Sequence, residues 1–85
     1  MSRNETTTME KGPRADLDRH VGRRLRQVRQ SSGMPIWQLA AAVEVNVDSM
    51  LDFESGRFRT PPAVLGKVAR LTGTDVRHFF EGYNP

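Results

Sequence analysis

The side chains of this 85-residue chain that could do chemistry are mainly arginines. Residues 21–31 hold four arginines and no acidic residue, and residues 57–85 hold five basic against two acidic residues. Guanidinium groups bind phosphate oxygens in paired hydrogen bonds, so this pattern favours a phosphate-rich partner such as nucleic acid. Between them, residues 32–56 carry four acidic residues and no basic one. We therefore expect phosphate contacts from the flanks of the sequence.

Other chemistries have little support. The chain has no cysteine and two histidines, which leaves no thiolate nucleophile and no thiolate zinc site. Asp48 and Asp52 would make a weak cation site, because we expect no third oxygen donor within reach of both, and no serine lies near a histidine in sequence. We predict that the protein is not an enzyme and uses no metal or cofactor. No apolar run suits a membrane helix, and the amino terminus lacks a signal-peptide pattern, so a cytoplasmic protein is expected.

The first half of the chain has the apolar spacing of two helices. Residues 1–15 are polar and aperiodic, and we interpret them as a disordered tail before a domain of residues 16–85. A first helix is predicted over residues 17–31, with Asp16 as its cap. Pro35 suits the first position of a second, short helix. The apolar stripes of these helices are Leu17, Val21, Leu25 and Val28, then Ile36, Leu39, Ala40 and Val43.

Three more helices are predicted in the second half. Asn46 is a good cap for a helix over residues 47–55, which Gly56 would end. Two prolines open a fourth helix that stops at Gly73, and Asp75 would cap a short fifth helix over residues 76–81. Their inward residues would be Met50, Phe53, Leu65, Val68, Ala69, Leu71 and Phe79. With no useful alternating run, the prediction is an all-α domain of five helices around one small core.

Residues 22–82 resemble the phage-repressor and Cro-like helix-turn-helix family, also called XRE-like. The matching residues are Arg23, Leu25, Arg26, Arg29, Gly33, Met34, Gln38, Leu39, Ala40, Val45, Met50, Phe53, Glu54, Gly56, Arg57, Pro61, Pro62, the pattern from Leu65 to Leu71, and Phe79 with Phe80. The resemblance implies a lambda-repressor-like, compact five-helix bundle with a central helix-turn-helix over residues 36–55. It also implies a transcriptional regulator that lays its third helix in the major groove of double-stranded DNA.

The same resemblance implies site residues. The base-facing positions fall on Val47, Asp48 and Asp52, with Leu51 beside them. Valine can touch only a thymine methyl, and the aspartates can accept only from a cytosine amino group. The expected phosphate contacts are Asn46, Ser49, Arg57, Arg59 and, on the first helix, Arg23. The resemblance also implies that Glu54 pairs with Arg26 or Arg29.

Other hypotheses concern partners. Ile36, Trp37, Val47, Leu51 and Phe58 could form an exposed apolar surface, which would make the fold a protein-interaction module, although we expect Trp37 to be half-buried. Phe80 and Tyr83 could form a homodimer patch. Because the chain leaves no room for a sensor domain, we expect no small-molecule ligand, and regulation by dimerisation, expression level or a regulator protein.

Overall fold

The computed structural model describes residues 14–84, and within them the chain is helical with no strand. Four α-helices are followed by one 3-10 helix. They are α1 (Ala15–Ser31), α2 (Ile36–Ala42), α3 (Val47–Ser55), α4 (Pro62–Thr72) and the 3-10 helix (Val76–Phe80). Most of the predicted tail, residues 1–13, lies outside the described residues.

The fifth predicted α-helix is wrong in type, because this element is a 3-10 helix of five residues. The amide of His78 donates to the carbonyl of Asp75 at 2.9 Å, an i to i+3 bond, and Glu81 returns to extended backbone. In a segment this short, too few hydrogen bonds form to offset the free-energy cost of nucleating an α-helix. A 3-10 helix closes its turn in three residues and suits the short segment better. Asp75 caps it as predicted. Hydrogen bonds from Arg77 lower the pKa of Asp75 to about 2.

Asp16 does not cap α1. The N-cap is Arg14, whose side chain makes no capping hydrogen bond, and Asp16 lies in the first turn. There its carboxylate accepts a hydrogen bond of 2.9 Å from the hydroxyl of Tyr83, which lowers the pKa of Asp16. The pKa of Tyr83 is raised as well, mainly because its hydroxyl is partly removed from water and secondly because it donates this hydrogen bond to Asp16. The carboxyl-terminal residues are thereby tied to the start of α1.

The core lies between α1, the α2–α3 pair, α4 and the 3-10 helix. Phe79, Leu25, Leu39 and Met50 are each fully buried at its centre. Leu71 was predicted to face inward but is 48% exposed. The buried residues of α4 are Val64, Leu65, Val68 and Ala69, and Leu71 lies at the edge of this face in the last turn of the helix, where it is outside the packed core.

Helix α1 packs directly against the carboxyl-terminal end of α3. A Cβ atom added at Gly22 would lie 2.6 Å from the carbonyl oxygen of Glu54, so only glycine permits this approach. Beside it, Arg29 donates to both carboxylate oxygens of Glu54, at 2.7 and 3.1 Å, and to the carbonyl of Met34 at 2.9 Å. Of the two partners expected for Glu54, the structure selects Arg29.

This ion pair predicts a large stability effect. The Arg29 and Glu54 side chains are only 13% and 6% exposed. Arg29→Met leaves the carboxylate buried and uncompensated, so we expect it to lower the free energy of unfolding by about 3 kcal/mol. The double variant Arg29→Met with Glu54→Leu should recover most of that loss, as measured by urea denaturation.

The matched control is Arg26→Met, which changes an exposed arginine of the same helix. Its effect should stay within about 0.5 kcal/mol. Equal losses for the Arg26 and Arg29 variants would show that the ion pair does not hold α1 to α3.

Candidate nucleic-acid interface

Helices α2 and α3 are joined by a tight turn that fixes their relative direction. Glu44 has a φ of 65°, in the left-handed region, and the amide of Val45 donates to the carbonyl of Ala40 at 3.0 Å. This is the geometry that commonly ends a helix, with a non-glycine residue in the strained position. The turn lets α2 bury Leu39 and α3 bury Met50 in one core.

The start of α3 is built as the sequence predicts. The side-chain oxygen of Asn46 accepts a 2.8 Å hydrogen bond from the amide of Ser49, which satisfies one of the free donors of the helix start. Gly56 ends the helix in the left-handed conformation, with a φ of 78°. Because Met50 and Glu54 are the buried residues of α3, its opposite face is directed away from the core. That outer face carries Asp48 and Asp52, with Leu51 at its edge, and Val47 is exposed at the first position of the helix.

Three of the four acidic residues in the block of residues 32–56 are paired with basic residues from outside it. Besides Glu54 with Arg29, Glu44 accepts from Lys67 of α4 at 3.1 Å. Asp52 lies 4.0 Å from the guanidinium of Arg57. Within residues 14–84, Asp48 forms no such pair. The outer face of α3 therefore holds one unpaired and one loosely paired carboxylate.

The two arginines in the loop after α3, Arg57 and Arg59, differ in how strongly they are paired with other side chains. The Arg57 side chain is 68% exposed, with its guanidinium 5.4 Å from the ring centre of Phe58. The side chain of Arg59 is 57% exposed, but its Nε donates at 3.1 Å to Asp18, whose own side chain is 3% exposed. Of the two arginines in this loop that were predicted to contact phosphate, Arg57 is thus the less tightly paired. Asp18 was overlooked in sequence because its partner lies 41 residues away.

The arginines of α1 divide into two groups. Arg24 donates at 2.8 Å to the carbonyl of Glu81, and Arg29 donates to the carboxylate of Glu54, so both arginines stabilise the fold. Arg19, Arg23 and Arg26 are exposed at spacings of four and three, which places them on one helical face. The backbone of Arg19 lies against Gly56, where an added Cβ would be 2.7 Å from the Arg19 amide nitrogen. We call this row the α1 arginine strip, and it adjoins the end of α3.

The outer surface of the α2–α3 pair is also apolar. Trp37 is 63% exposed, which contradicts the expected half-burial, and Leu51 is 50% exposed. The reason is position, because Leu39 and Ala40 face inward from α2 and Trp37 falls on the other side. Ile36 instead packs partly against the core, and Phe58 is half-buried. The exposed apolar surface consists of Trp37, Val47 and Leu51.

The two histidines take part in local hydrogen bonds. His20 Nε2 lies 2.8 Å from the carbonyl oxygen of Glu81, and His78 Nδ1 lies 3.2 Å from the Glu81 carboxylate. In the part of the chain that the structure describes, no group of three metal-ligating side chains comes together. None of the described helices has the length and apolar character needed to cross a membrane.

A family model described as a helix-turn-helix domain matches residues 20–79. Among solved structures, the clp gene regulator ClgR from Corynebacterium glutamicum is 27% identical with a TM-score of 0.70, over 74% of this chain and 67% of that one. The restriction-modification controller protein C.AhdI from Aeromonas hydrophila is 26% identical with a TM-score of 0.69, over 78% and 98% of the two chains.

A third structure, the hypothetical transcription factor NHTF from Neisseria, is 16% identical with a TM-score of 0.69, over 91% of this chain and 86% of that one, and shows likeness of fold alone. The search of curated proteins returned no match. The similar structures therefore share the arrangement of helices around the α2–α3 pair.

Proposed function

Because the chain belongs to the phage-repressor and Cro-like, or XRE-like, helix-turn-helix family, we propose that it is a small transcriptional regulator that binds double-stranded DNA. The observation that carries the proposal is the outward face of α3, with exposed arginines gathered at its carboxyl-terminal end. Arg57 follows the helix, and the α1 arginine strip adjoins its end. A regulator of this kind would act in the cytoplasm, on the nucleoid.

In the proposed complex α3 enters the major groove and the start of α2 approaches the phosphate backbone. Arg57, Arg23 and Arg59 would contact phosphates, together with Asn46 and Ser49 at the start of α3. Val47 would meet a thymine methyl, while Asp48 and Asp52 would accept from cytosine amino groups and repel other sequences. Neutralisation of Glu44 and Glu54 by Lys67 and Arg29 supports this arrangement, because it removes two charges that would oppose DNA.

The proposal predicts strongly salt-dependent binding to mixed-sequence duplex DNA, measured by fluorescence anisotropy. If about four phosphates are neutralised, affinity should fall about a hundredfold between about 50 and 200 mM salt. Arg57→Ala or Arg23→Ala should weaken binding to all sequences alike and reduce the log-log slope by about one. Arg70→Ala, an exposed arginine of α4 outside the α2–α3 pair, is the matched control and should leave the slope unchanged. Absence of binding at low salt would refute the proposal.

We also propose that the protein acts as a homodimer, because a single α3 contacts few base pairs and two-fold symmetry doubles the interface. Of the predicted patch, Phe80 is 44% exposed, whereas the hydroxyl of Tyr83 is bonded to Asp16. Sedimentation at micromolar concentration should give twice the 9.6 kDa chain mass. Phe80→Ser should shift the sedimenting mass towards that of the monomer. A wild-type chain that sediments only as a monomer would exclude the dimer.

A second candidate function, a protein-interaction module, is favoured by the exposure of Trp37, Val47 and Leu51. Such surfaces commonly mark contacts with proteins, and the partner in this candidate function would be another regulator. Trp37 is the single tryptophan of the chain, so its fluorescence reports directly on this surface. We expect duplex DNA to change that emission, because the start of α2 approaches the backbone in the proposed complex. Saturating DNA binding without any change would instead leave the surface free for a protein.

A further inference from the structure

The loop of residues 56–61, between α3 and α4, is anchored on two consecutive residues of α1. At its start Gly56 is buried against Arg19, where an added Cβ would clash with the Arg19 backbone. Further along, Nε of Arg59 donates to Oδ1 of Asp18 at 3.1 Å. A single turn of α1 therefore holds the loop that carries two of the predicted phosphate ligands.

The carboxylate of Asp18 is buried in apolar surroundings. Its side chain is 3% exposed and lies in the wall of a cavity of about 210 Å³ between the start of α1, the loop before α4 and the 3-10 helix. The other walls are largely apolar and include Leu17, Val21, Leu65 and Phe80. Among the described residues, Arg59 is the one basic side chain paired with this carboxylate, and Oδ2 has no hydrogen-bond partner. The guanidinium of Arg59 thus compensates the buried charge.

A DNA phosphate is too weak a partner to take Arg59 away from Asp18. Leaving a buried charge uncompensated shifts a folding equilibrium by more than about a hundredfold. An exposed ion contact, such as one between a surface arginine and a phosphate, shifts an equilibrium by about fivefold or less. The larger effect decides, so Arg59 keeps its Nε on Asp18 when the domain binds a polyanion.

The bond to Asp18 uses only one edge of the Arg59 side chain. A guanidinium is planar and carries five N–H donors in a fixed fork, and Nε supplies one of them. Within residues 14–84, the hydrogen bond of this side chain is made by Nε, and the side chain is 57% exposed. The two terminal nitrogens can therefore donate the paired hydrogen bonds that a phosphate accepts.

We propose that Asp18 is a positioning residue for DNA binding, which holds Arg59 by its Nε so that the terminal nitrogens meet a phosphate of the DNA bound by α3. This role rests on the proposed function and adds to it a residue that itself touches no DNA. It requires arginine, and not only positive charge, at position 59. A lysine has one nitrogen, which can pair with the buried carboxylate or extend to a phosphate but has no second edge.

The first test measures the affinity for mixed-sequence duplex DNA by fluorescence anisotropy. Arg59→Lys keeps the charge and should weaken binding about fivefold, because the ammonium stays with Asp18. The matched control is Arg57→Lys in the same loop. The Arg57 side chain is 68% exposed and only loosely paired, so the affinity should change less than twofold.

The outcomes separate this role from the proposed function. Absence of DNA binding by the wild-type chain would refute the proposed function, and the positioning role with it. Wild-type binding that Arg59→Lys leaves unchanged, or that Arg57→Lys weakens equally, would overturn the positioning role alone.

A double-mutant cycle isolates the part of Asp18. Asp18→Leu removes the buried charge and suits the apolar surroundings, so the fold should persist. In that background neither arginine nor lysine at position 59 has a buried partner, and their difference in affinity should fall below twofold. Both chains in this comparison lack Asp18, so the loss of a negative charge near DNA cancels. A fivefold difference that remains without Asp18 would overturn the proposal.

A spectroscopic test needs no change at Asp18. Hydrogen bonding slows proton exchange with water, so the bonded Nε–H group of Arg59 should give a distinct ¹H–¹⁵N NMR signal, assigned by its loss in Arg59→Lys. The signal should be present in the free full-length chain and persist when duplex DNA is added. A signal that is missing from the free chain, or lost on DNA binding, would show that Asp18 does not hold Arg59 in the complex.

Discussion

The contact between α1 and the end of α3 determines where the exposed groups of this protein lie. Gly22 lets the two backbones approach, and the Arg29–Glu54 ion pair holds them together while Arg29 also binds the carbonyl of Met34. Through this contact the α1 arginine strip is positioned beside α3. A helix-turn-helix needs such support because α3 has only nine residues and is too short to be stable alone.

Pairing across the fold also changes the electrostatic character of the candidate interface. In sequence, residues 32–56 carry four acidic residues and no basic one, which would make this segment an unfavourable neighbour for DNA. In the fold, basic side chains from α1, α4 and the loop after α3 lie within 4.0 Å of three of the four carboxylates. The opposite happens to one arginine, since Arg59 is partly committed to the buried Asp18. Net charge along the sequence is therefore a poor guide to the charge that a partner meets.

The α3 face and the cavity lie on different parts of the molecule but share the loop of residues 56–61. Arg57 in this loop is directed to solvent, whereas Arg59 and Thr60 line the cavity. A small domain can thus present an exposed helix face and enclose a separate cavity without a second core. The exposed Trp37, Val47 and Leu51 add an apolar component to the candidate interface.

Local sequence was sufficient to predict the four α-helices, the Asn46 cap, the Gly56 stop and the burial of Phe79, because periodicity and capping act over a few residues. Family resemblance supplied the helix-turn-helix and a partner for Glu54. Local signals failed for the type of the helix at residues 76–80 and for the exposure of Trp37 and Leu71, because these depend on how the helices pack.

Only the tertiary structure decided the partners that are distant in sequence. Glu44 and Lys67 are 23 residues apart, Asp18 and Arg59 are 41 apart, and Asp16 and Tyr83 are 67 apart. No periodicity encodes such pairs, since they depend on how the helices pack. The same holds for the cavity beside the buried Asp18, which exists only because α1, the loop before α4 and the 3-10 helix meet without filling the space between them.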